Sequence, residues 1–281
     1  MKAIAYSLFG YNKEREKNCF DFISYLRGML YSLRMNMLVY PGWEMVVETD
    51  EPTYKAYKKL FDNLPIKVEI NEPAPLCKAM LWRLKPVFDY NSYTHVICRD
   101  LDSPPTYREA QAVQDWINGN KAAHAITDSI SHTIPMMGGM VGFHTGYWPV
   151  RTGWQHWSDI FSGQNQINFA VKGSDQTLLN SVVYPKFATP GTESITQHYI
   201  LGHGNTWLNG YKNYIPDIEV ENVSRDLNES NDCCSHIGQA GWLLPQSFRL
   251  WQKYADRFED ILKVEKQFPE IAYWVNDGTF D

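Results

Sequence analysis

Two aspartates, Asp100 and Asp102, follow directly after a β-prone run that begins at Thr94. Alternate residues of an extended chain point to the same side, so this spacing predicts that both carboxylates share one face. Neighbouring carboxylates repel each other unless a cation lies between them. Mg²⁺ and Mn²⁺ prefer oxygen ligands and often share them with substrate phosphates, so the pair indicates a site for such a cation. The alternative is an acidic turn that only caps the following helix.

The residues after the acidic pair predict the start of a helix. Ser103, Pro104 and Pro105 close the run, and proline favours the first turn of a helix. Thr106 and Glu109 have the spacing of a capping box. The pair is therefore predicted at the end of a strand, where ligands bind in open α/β sheets.

The composition is that of a globular protein, with 281 residues, 44% of them hydrophobic and 21% charged. The net charge of −6 argues against nucleic acid as a main partner, because binding to phosphate backbones needs a basic surface. Five cysteines show neither zinc-site spacing nor a disulfide framework, which favours thiols in a reducing compartment. We recognise no signal peptide and no apolar run of about 18 residues, so we expect a cytoplasmic protein without a membrane span.

Strands and helices alternate along the chain. Before the acidic pair, periodicity predicts strands at 3–9, 44–49 and 66–70, and helices at 20–37, 54–61 and 76–88. After it, we predict strands at 122–127 and 140–144, and helices at 107–117, 154–161, 175–183 and 246–263. Ser174 is the predicted N-cap of the helix at 175–183, and 187–244 is predicted to form loops with short strands. The alternation predicts a single α/β domain, 1–281, with a mostly parallel sheet and helices on both faces.

Paired glycines, Gly138 and Gly139, precede the predicted strand at 140–144. Glycine has no side chain, so such a pair permits close approach of the backbone to a ligand. A plain turn is the alternative.

Four motifs, taken in this order, resemble the nucleotide-sugar glycosyltransferases of the GT-A fold. They are Ser7–Gly10 followed by 25–28 and 40–43, Trp82-Arg83 ahead of 99–103, the segment 136–140, and the segment 175–180. Their order and spacing resemble those of bacterial and viral polysaccharide transferases. The last segment is also similar to the retaining glycogenin and galactosyltransferase group. The resemblance covers about residues 3–185 and then thins to His236–Gly238, where the spacing is shorter than in the retaining group and its lysine is absent.

The resemblance implies a metal-dependent glycosyltransferase of the hexosyltransferase class. It would move a sugar from a nucleotide-diphosphate sugar, a UDP-sugar by this resemblance, to a glycan or other hydroxyl acceptor, with retention of configuration. It also implies a nucleotide-binding half, 1–130, and an acceptor half with a C-terminal helix, 131–281. The implied cofactor is Mn²⁺ or Mg²⁺, and polysaccharide biosynthesis is the implied process.

The resemblance also assigns roles to individual residues. The residues implied to border the nucleotide and the donor sugar are Ser7, Leu8, Phe9, Gly10, Tyr25, Arg83, Asp100, Leu101, Asp128, Gly138 and Gly139. Asp175 and Gln176 are implied to be catalytic, near the reacting carbon or the acceptor. Asp100, Asp102 and His236 are the expected metal ligands, with His198 and His203 as rivals of His236.

Each of these roles has a structural alternative. Arg83 could be a solvated helix charge, and Asp128 could cap a turn. Two other functions also need paired carboxylates or this fold: a metal-dependent nucleotidyl or phosphoryl transferase, and an inactive carbohydrate-binding protein. The sequence has no Walker-type motif, which disfavours the first, and a mere binder has little use for two adjacent carboxylates.

Overall fold

The computed structural model of the chain describes residues 1–11, 20–103, 105, 107–127, 134–188, 195–198 and 259–268. In these residues one sheet has the strands β1 (Lys2–Leu8), β2 (Glu44–Asp50), β3 (Lys67–Asn71), β4 (His95–Arg99), β5 (Ala123–Ile126), β6 (Met140–His144) and β7 (Ile195–His198). The strand order is β3-β2-β1-β4-β6-β5-β7. Strand β6 is antiparallel to β4 and β5, and the other neighbouring pairs are parallel. The predicted mostly parallel sheet is confirmed.

Helices cover both faces of this sheet, as predicted. The α-helices are α1 (Phe20–Val39), α2 (Glu51–Phe61), α3 (Leu76–Met80), α4 (Tyr107–Asn118), α5 (Trp148–Thr152), α6 (Ser174–Leu178), α7 (Tyr184–Phe187) and α8 (Glu259–Glu265). Two 3₁₀-helices (Leu81–Phe88 and Trp157–Phe161) and a π-helical segment (Leu179–Val183) accompany them. One core cluster joins a face of the sheet to α1, α2, α4 and α8, and a second joins the other face to the 3₁₀-helices and α5 to α7.

Strand β1 lies in the middle of the sheet and is buried on both faces. Ile4 and Tyr6 belong to one core cluster, whereas Ala3 and Ala5 belong to the other, as the alternation of side chains along a strand requires. Burying a large side chain such as that of Ile4 stabilises the fold by about 1.5–3 kcal/mol. The small side chains of Ala3 and Ala5 leave room for the 3₁₀-helix Leu81–Phe88 to pack closely on β1.

The loop that follows β4 and the loop that precedes β6 meet at the carboxyl end of β4. Because β6 is antiparallel to β4, the last residue of β4, Arg99, lies directly opposite the first residue of β6, Met140. The acidic pair after Arg99 and the paired glycines before Met140 are therefore neighbours in space. This register brings two of the sequence motifs together.

The predicted helix at 76–88 changes type within its length. It is α-helical from Leu76 to Met80 and continues as a 3₁₀-helix from Leu81 to Phe88, with Pro86 inside it. Proline has no N–H and cannot donate the hydrogen bond that a helix interior requires. The tighter helix buries Arg83, which is only 3% exposed, so the interpretation of Arg83 as a solvated charge is wrong.

The prediction of Ser174 as an N-cap is also wrong. Gly173 occupies that position with a φ of +90°, and Ser174 is the first residue of α6. The Ser174 hydroxyl instead donates to the carbonyl of Val171, at 2.8 Å. Within the predicted helix at 154–161, only Trp157–Phe161 is helical.

Both predicted halves of the chain contribute strands to this one sheet, since β6 and β7 follow residue 130. The division into two functional halves stays a prediction. The capping box of Thr106 and Glu109 also stays a prediction, because Thr106 lies outside the described residues. No helix in the described part of the chain is both long and apolar enough to span a membrane.

Candidate active site

The acidic pair lies in a turn beyond β4 rather than on an extended strand. The backbone N–H of Ser103 donates to the carbonyl of Asp100 at 3.2 Å, which closes the turn. The extended backbone expected for the pair is therefore wrong, but the expected burial is observed, because Leu101 points inward and is 2% exposed while both aspartates are more exposed. The side chain of Asp100 is 42% exposed, and Asp102 is half-buried.

The charge of Asp100 nevertheless acts on the Asp102 carboxyl. Burial, and then the negative charge of Asp100, raise the pKa of the Asp102 carboxyl to about 6. Both effects disfavour the ionised form, and a bound cation would favour it again. The turn therefore brings together two oxygen donors whose combined negative charge is only partly offset by nearby arginines.

Arg83 forms an ion pair with Asp100 through its Nη1 atom. Burial acts to lower the pKa of the Arg83 guanidinium, but the charge of Asp100 and, more weakly, that of Asp175 leave it above its usual value. The backbone N–H of Arg83 donates to the Ser7 hydroxyl at 3.1 Å, and that hydroxyl donates to the carbonyl of Met80 at 3.1 Å. Ser7 thus fixes the position of Arg83 from the end of β1.

Gly138 and Gly139 lie against this ion pair. A Cβ atom at Gly139 would be 1.9 Å from Asp100 Oδ2, and one at Gly138 would be 2.5 Å from Arg83 Nη2. A side chain at either position would displace one of these groups, so glycine permits the close approach of the backbone to the Arg83–Asp100 pair. The two glycines also form a turn, closed by a hydrogen bond from the N–H of Met140 to the carbonyl of Met137 at 2.8 Å, so the alternative of a turn and the close approach both hold.

Asp175 and Gln176, in the first turn of α6, complete the cluster. Gln176 Oε1 accepts a hydrogen bond from the N–H of Gly138 at 3.3 Å. Asp175 is 1% exposed, and no described residue donates a hydrogen bond to its Oδ2 atom. Leaving such a buried acceptor unsatisfied costs about 1–3 kcal/mol, so this atom calls for a donor from beyond the described residues.

Asn180 ties the glycine loop to this helix, a role the sequence analysis did not assign. Its side-chain amide accepts from the N–H of Met136 and donates to the carbonyl of the same residue, both at 2.9 Å. It also donates to the carbonyl of Gln176 at 2.8 Å. Asn180 lies in the π-helical segment, and such segments often occur at functional sites.

The residues at the end of β1 that were predicted to border the nucleotide have different surroundings. The side chain of Leu8, like that of Leu101, belongs to the hydrophobic core, so either residue can offer a ligand only its backbone. Phe9 packs edge-to-face on Trp82, with ring centroids 5.5 Å apart. Packing against Trp82 places Phe9 beside the 3₁₀-helix that carries Arg83.

Gly10 and Tyr25 lie at the margin of the described site. The N–H of Gly10, at a φ of +87°, donates to Asp50 Oδ2 at 2.9 Å. The side chain of Tyr25, on α1, is 41% exposed. For both residues a role in nucleotide binding stays a prediction.

The remaining predicted site residues lie outside the described part of the chain. These are Asp128 and His236, together with His203; His198 is the last residue of β7, but its side chain is not described. Among the described residues no group of three or more His, Cys, Asp or Glu side chains could hold a metal ion. The described donors are thus Asp100 and Asp102, and an all-oxygen pair fits Mg²⁺ or Mn²⁺.

Comparisons with known proteins give distant structural similarities. No protein-family model and no curated protein matches the sequence. A Desulfovibrio desulfuricans G20 protein described as a nucleotide-diphospho-sugar transferase is 13% identical, over 70% of this chain and 78% of its own, with a TM-score of 0.40. S. aureus TarS 1-349 is 12% identical over 98% of this chain and 81% of its own, with a TM-score of 0.39.

A third similarity is to 4-diphosphocytidyl-2C-methyl-D-erythritolsynthase from Anaerococcus prevotii. It is 9% identical, over 70% of this chain and 86% of its own, with a TM-score of 0.38. These identities and TM-scores are too low to assign an activity. The case for a function therefore rests on the residues of the site.

Proposed function

We propose that this protein is a glycosyltransferase that moves a sugar from a nucleotide-diphosphate sugar to a hydroxyl group of a glycan or another acceptor. The observation that supports the proposal is the cluster of residues at the carboxyl end of β4. There the Arg83–Asp100 ion pair, the Gly138-Gly139 backbone and the buried carboxylate of Asp175 lie together. These are three of the four motifs that resemble the GT-A transferases.

Asp100 and Asp102 are the proposed ligands of Mg²⁺ or Mn²⁺, with His236 as a third ligand suggested by the resemblance alone. The cation would supply Lewis-acid stabilisation of the negative charge on the departing nucleoside diphosphate. Arg83 is buried and positively charged beside these carboxylates, and it would contact the same anionic region of the donor.

The glycines and Asp175 would handle the sugar. The Gly138-Gly139 backbone can approach a donor sugar without interference from a side chain. Asp175 Oδ2 is an acceptor in need of a donor, and a sugar hydroxyl is such a donor. Gln176 lies next to it and can hold a second hydroxyl through its amide. A UDP-sugar as the donor and retention of configuration remain the finer part of the proposal.

The test is a panel of UDP- and GDP-sugars, with release of nucleoside diphosphate measured in the presence of Mn²⁺ and of a chelator. We expect release from at least one sugar nucleotide with Mn²⁺ and none with the chelator. Asp100→Asn and Asp102→Asn should abolish release, whereas Asp62→Asn, which removes an exposed carboxylate on α2's C-terminal side, should not.

Two outcomes would contradict the proposal. Full activity of either Asn variant at Asp100 or Asp102 in metal-free buffer would exclude the metal-dependent mechanism. Release of pyrophosphate from a nucleoside triphosphate, with no turnover of any sugar nucleotide, would indicate a nucleotidyltransferase instead.

A further inference from the structure

Arg99, the last residue of β4, contacts both loops of the candidate site. Its side chain is 1% exposed. Its Nη1 atom donates to the carbonyl of Gly139 at 2.7 Å. Its Nη2 atom donates to the carbonyl of Ser103 at 2.7 Å and to the Ser103 hydroxyl at 3.0 Å. One guanidinium therefore joins the loop that carries the acidic pair to the loop that carries the paired glycines.

A buried carboxylate balances the charge of Arg99. Glu109, on α4, is 2% exposed, and its Oε2 atom lies 3.2 Å from Arg99 Nη2. The hydroxyl of Tyr40, which follows α1, donates to Glu109 Oε1 at 3.2 Å. A buried ion pair is weak evidence for stability, because desolvation offsets most of the attraction. The geometry that the pair imposes on its neighbours is the more informative feature.

That geometry matters because the two loops meet very closely. The backbone of Gly139 is so near Asp100 that no Cβ atom fits between them. Arg99 donates to the carbonyl of Gly139 on one side of this contact. On the other side it donates to Ser103, which closes the acidic turn. Only the planar fork of a guanidinium presents parallel donors to two acceptors in this way, and a lysine ammonium does not.

We propose that Arg99 is a positioning residue that fixes the acidic turn against the Gly138-Gly139 backbone. It thereby sets the separation between the groups that would hold the cation and those that would face the donor sugar. The catalytic relevance of this role rests on the proposed function, but the positioning itself does not.

Two variants separate positioning from simple stability. Arg99→Lys keeps a positive charge opposite Glu109 but cannot donate to Gly139 and Ser103 together. Glu109→Gln leaves the donors of Arg99 in place and removes the ion pair. If Arg99→Lys does not fold, the double variant Arg99→Gln/Glu109→Gln removes both buried charges together and takes its place.

Amide hydrogen exchange of the ligand-free protein is the first measurement. We expect the amides of 100–103 and 138–140 to exchange at least about tenfold faster in Arg99→Lys than in the parent. In Glu109→Gln the same amides should stay within about twofold of the parent even if the melting temperature falls. Equal loss of protection in both variants would mean that Arg99 has only a structural role.

Kinetics with the donor identified by the sugar-nucleotide panel are the second measurement. Arg99→Lys should lower kcat/KM by at least about tenfold, and Glu109→Gln by much less at a temperature where both are folded. Parallel losses that follow melting temperature would overturn the positioning role. If the parent turns over no sugar nucleotide, the proposed function fails, while the exchange comparison still decides the role of Arg99.

Discussion

Asp100 has a protein partner already, the buried guanidinium of Arg83. A divalent cation that binds the same carboxylate must share it with Arg83 or displace Arg83 toward the diphosphate. The ion pair therefore offsets the charge of Asp100 in the ligand-free protein and leaves Arg83 beside the position where an anionic donor would arrive. On the proposed function, cation binding and donor binding would be coupled through the Arg83 side chain.

Arg83→Gln tests that coupling. Removing the guanidinium frees Asp100, so Mn²⁺ should bind the ligand-free protein more tightly than it binds the parent, by calorimetry. Turnover should fall by about tenfold or more, since a charge-assisted hydrogen bond contributes about 1.5–3 kcal/mol. Lys78→Gln, on α3 with its ammonium over the Phe161 ring, is a matched loss of one positive charge. Unchanged Mn²⁺ affinity and unchanged kcat/KM in Arg83→Gln would contradict this interpretation.

Asp175 gives a second prediction for a single residue. Its Oδ2 atom is buried and has no hydrogen-bond donor among the described residues, so Asp175→Asn removes no hydrogen bond to that atom. Asp175→Asn should lower kcat by at least about tenfold, because it replaces an anionic acceptor, whose hydrogen bonds contribute about 1.5–3 kcal/mol. The melting temperature should change little. Normal kcat with a lower melting temperature would instead make Asp175 a residue that stabilises α6.

Among the structural elements, the central feature is the contact between the acidic turn and the glycine loop, rather than any one side chain. Gly139→Ala places a Cβ atom on Asp100 Oδ2, so the acidic turn or the glycine loop has to move. Overpacking of this kind costs about 1–3 kcal/mol, and we expect both a lower melting temperature and loss of donor turnover.

Gly146→Ala is the matched control for this change. Its Cβ atom would meet only the His144 ring, at 3.2 Å, away from the acidic turn. We expect normal turnover in this variant. Wild-type activity in Gly139→Ala would show that the close approach is not needed for function.

The sequence predicted the order of the elements but not how the site is assembled. The sequence located β6 correctly at 140–144, because a strand that is buried on both faces is a short, mostly apolar run of residues. The sequence pattern does not predict the burial of Arg83, because that burial depends on a 3₁₀-helix that packs on the small residues of β1. The role of Arg99 was equally hidden, because its partners Gly139 and Glu109 are brought to it only by the antiparallel register of β6 and the packing of α4.

At the scale of the whole molecule, Glu48 couples stability to pH. Burial raises the pKa of this carboxyl, on β2, to about 7, although the Asn71 side chain donates a hydrogen bond to it at 2.8 Å. The folded protein therefore binds more protons than the unfolded chain between pH 4.5, the ordinary pKa of a glutamate, and a pH of about 7. The free energy of unfolding should fall by a few kcal/mol as the pH rises through this window.

Melting temperatures across this pH window, for the parent and Glu48→Gln, test the coupling. The variant should lose most of the decline between pH 5 and 8 and be more stable than the parent at about pH 8. Glu69→Gln, a half-exposed carboxylate on the neighbouring strand β3, should keep the decline. Identical slopes in the parent and Glu48→Gln would assign the pH dependence to other groups.

The position of β6 in the sheet also has a consequence for synthesis of the chain. Strands β1 to β4 can pair with one another as soon as β4 has been made, but β5 joins the sheet only through β6, which is made later. Until then the edge of β4 is open, and an open strand edge invites pairing with other chains. A nascent chain that stalls between residues 127 and 140 would expose the backbone of 95–99, directly before the acidic pair. The strand that completes the candidate site is thus also the strand that covers the open edge of β4.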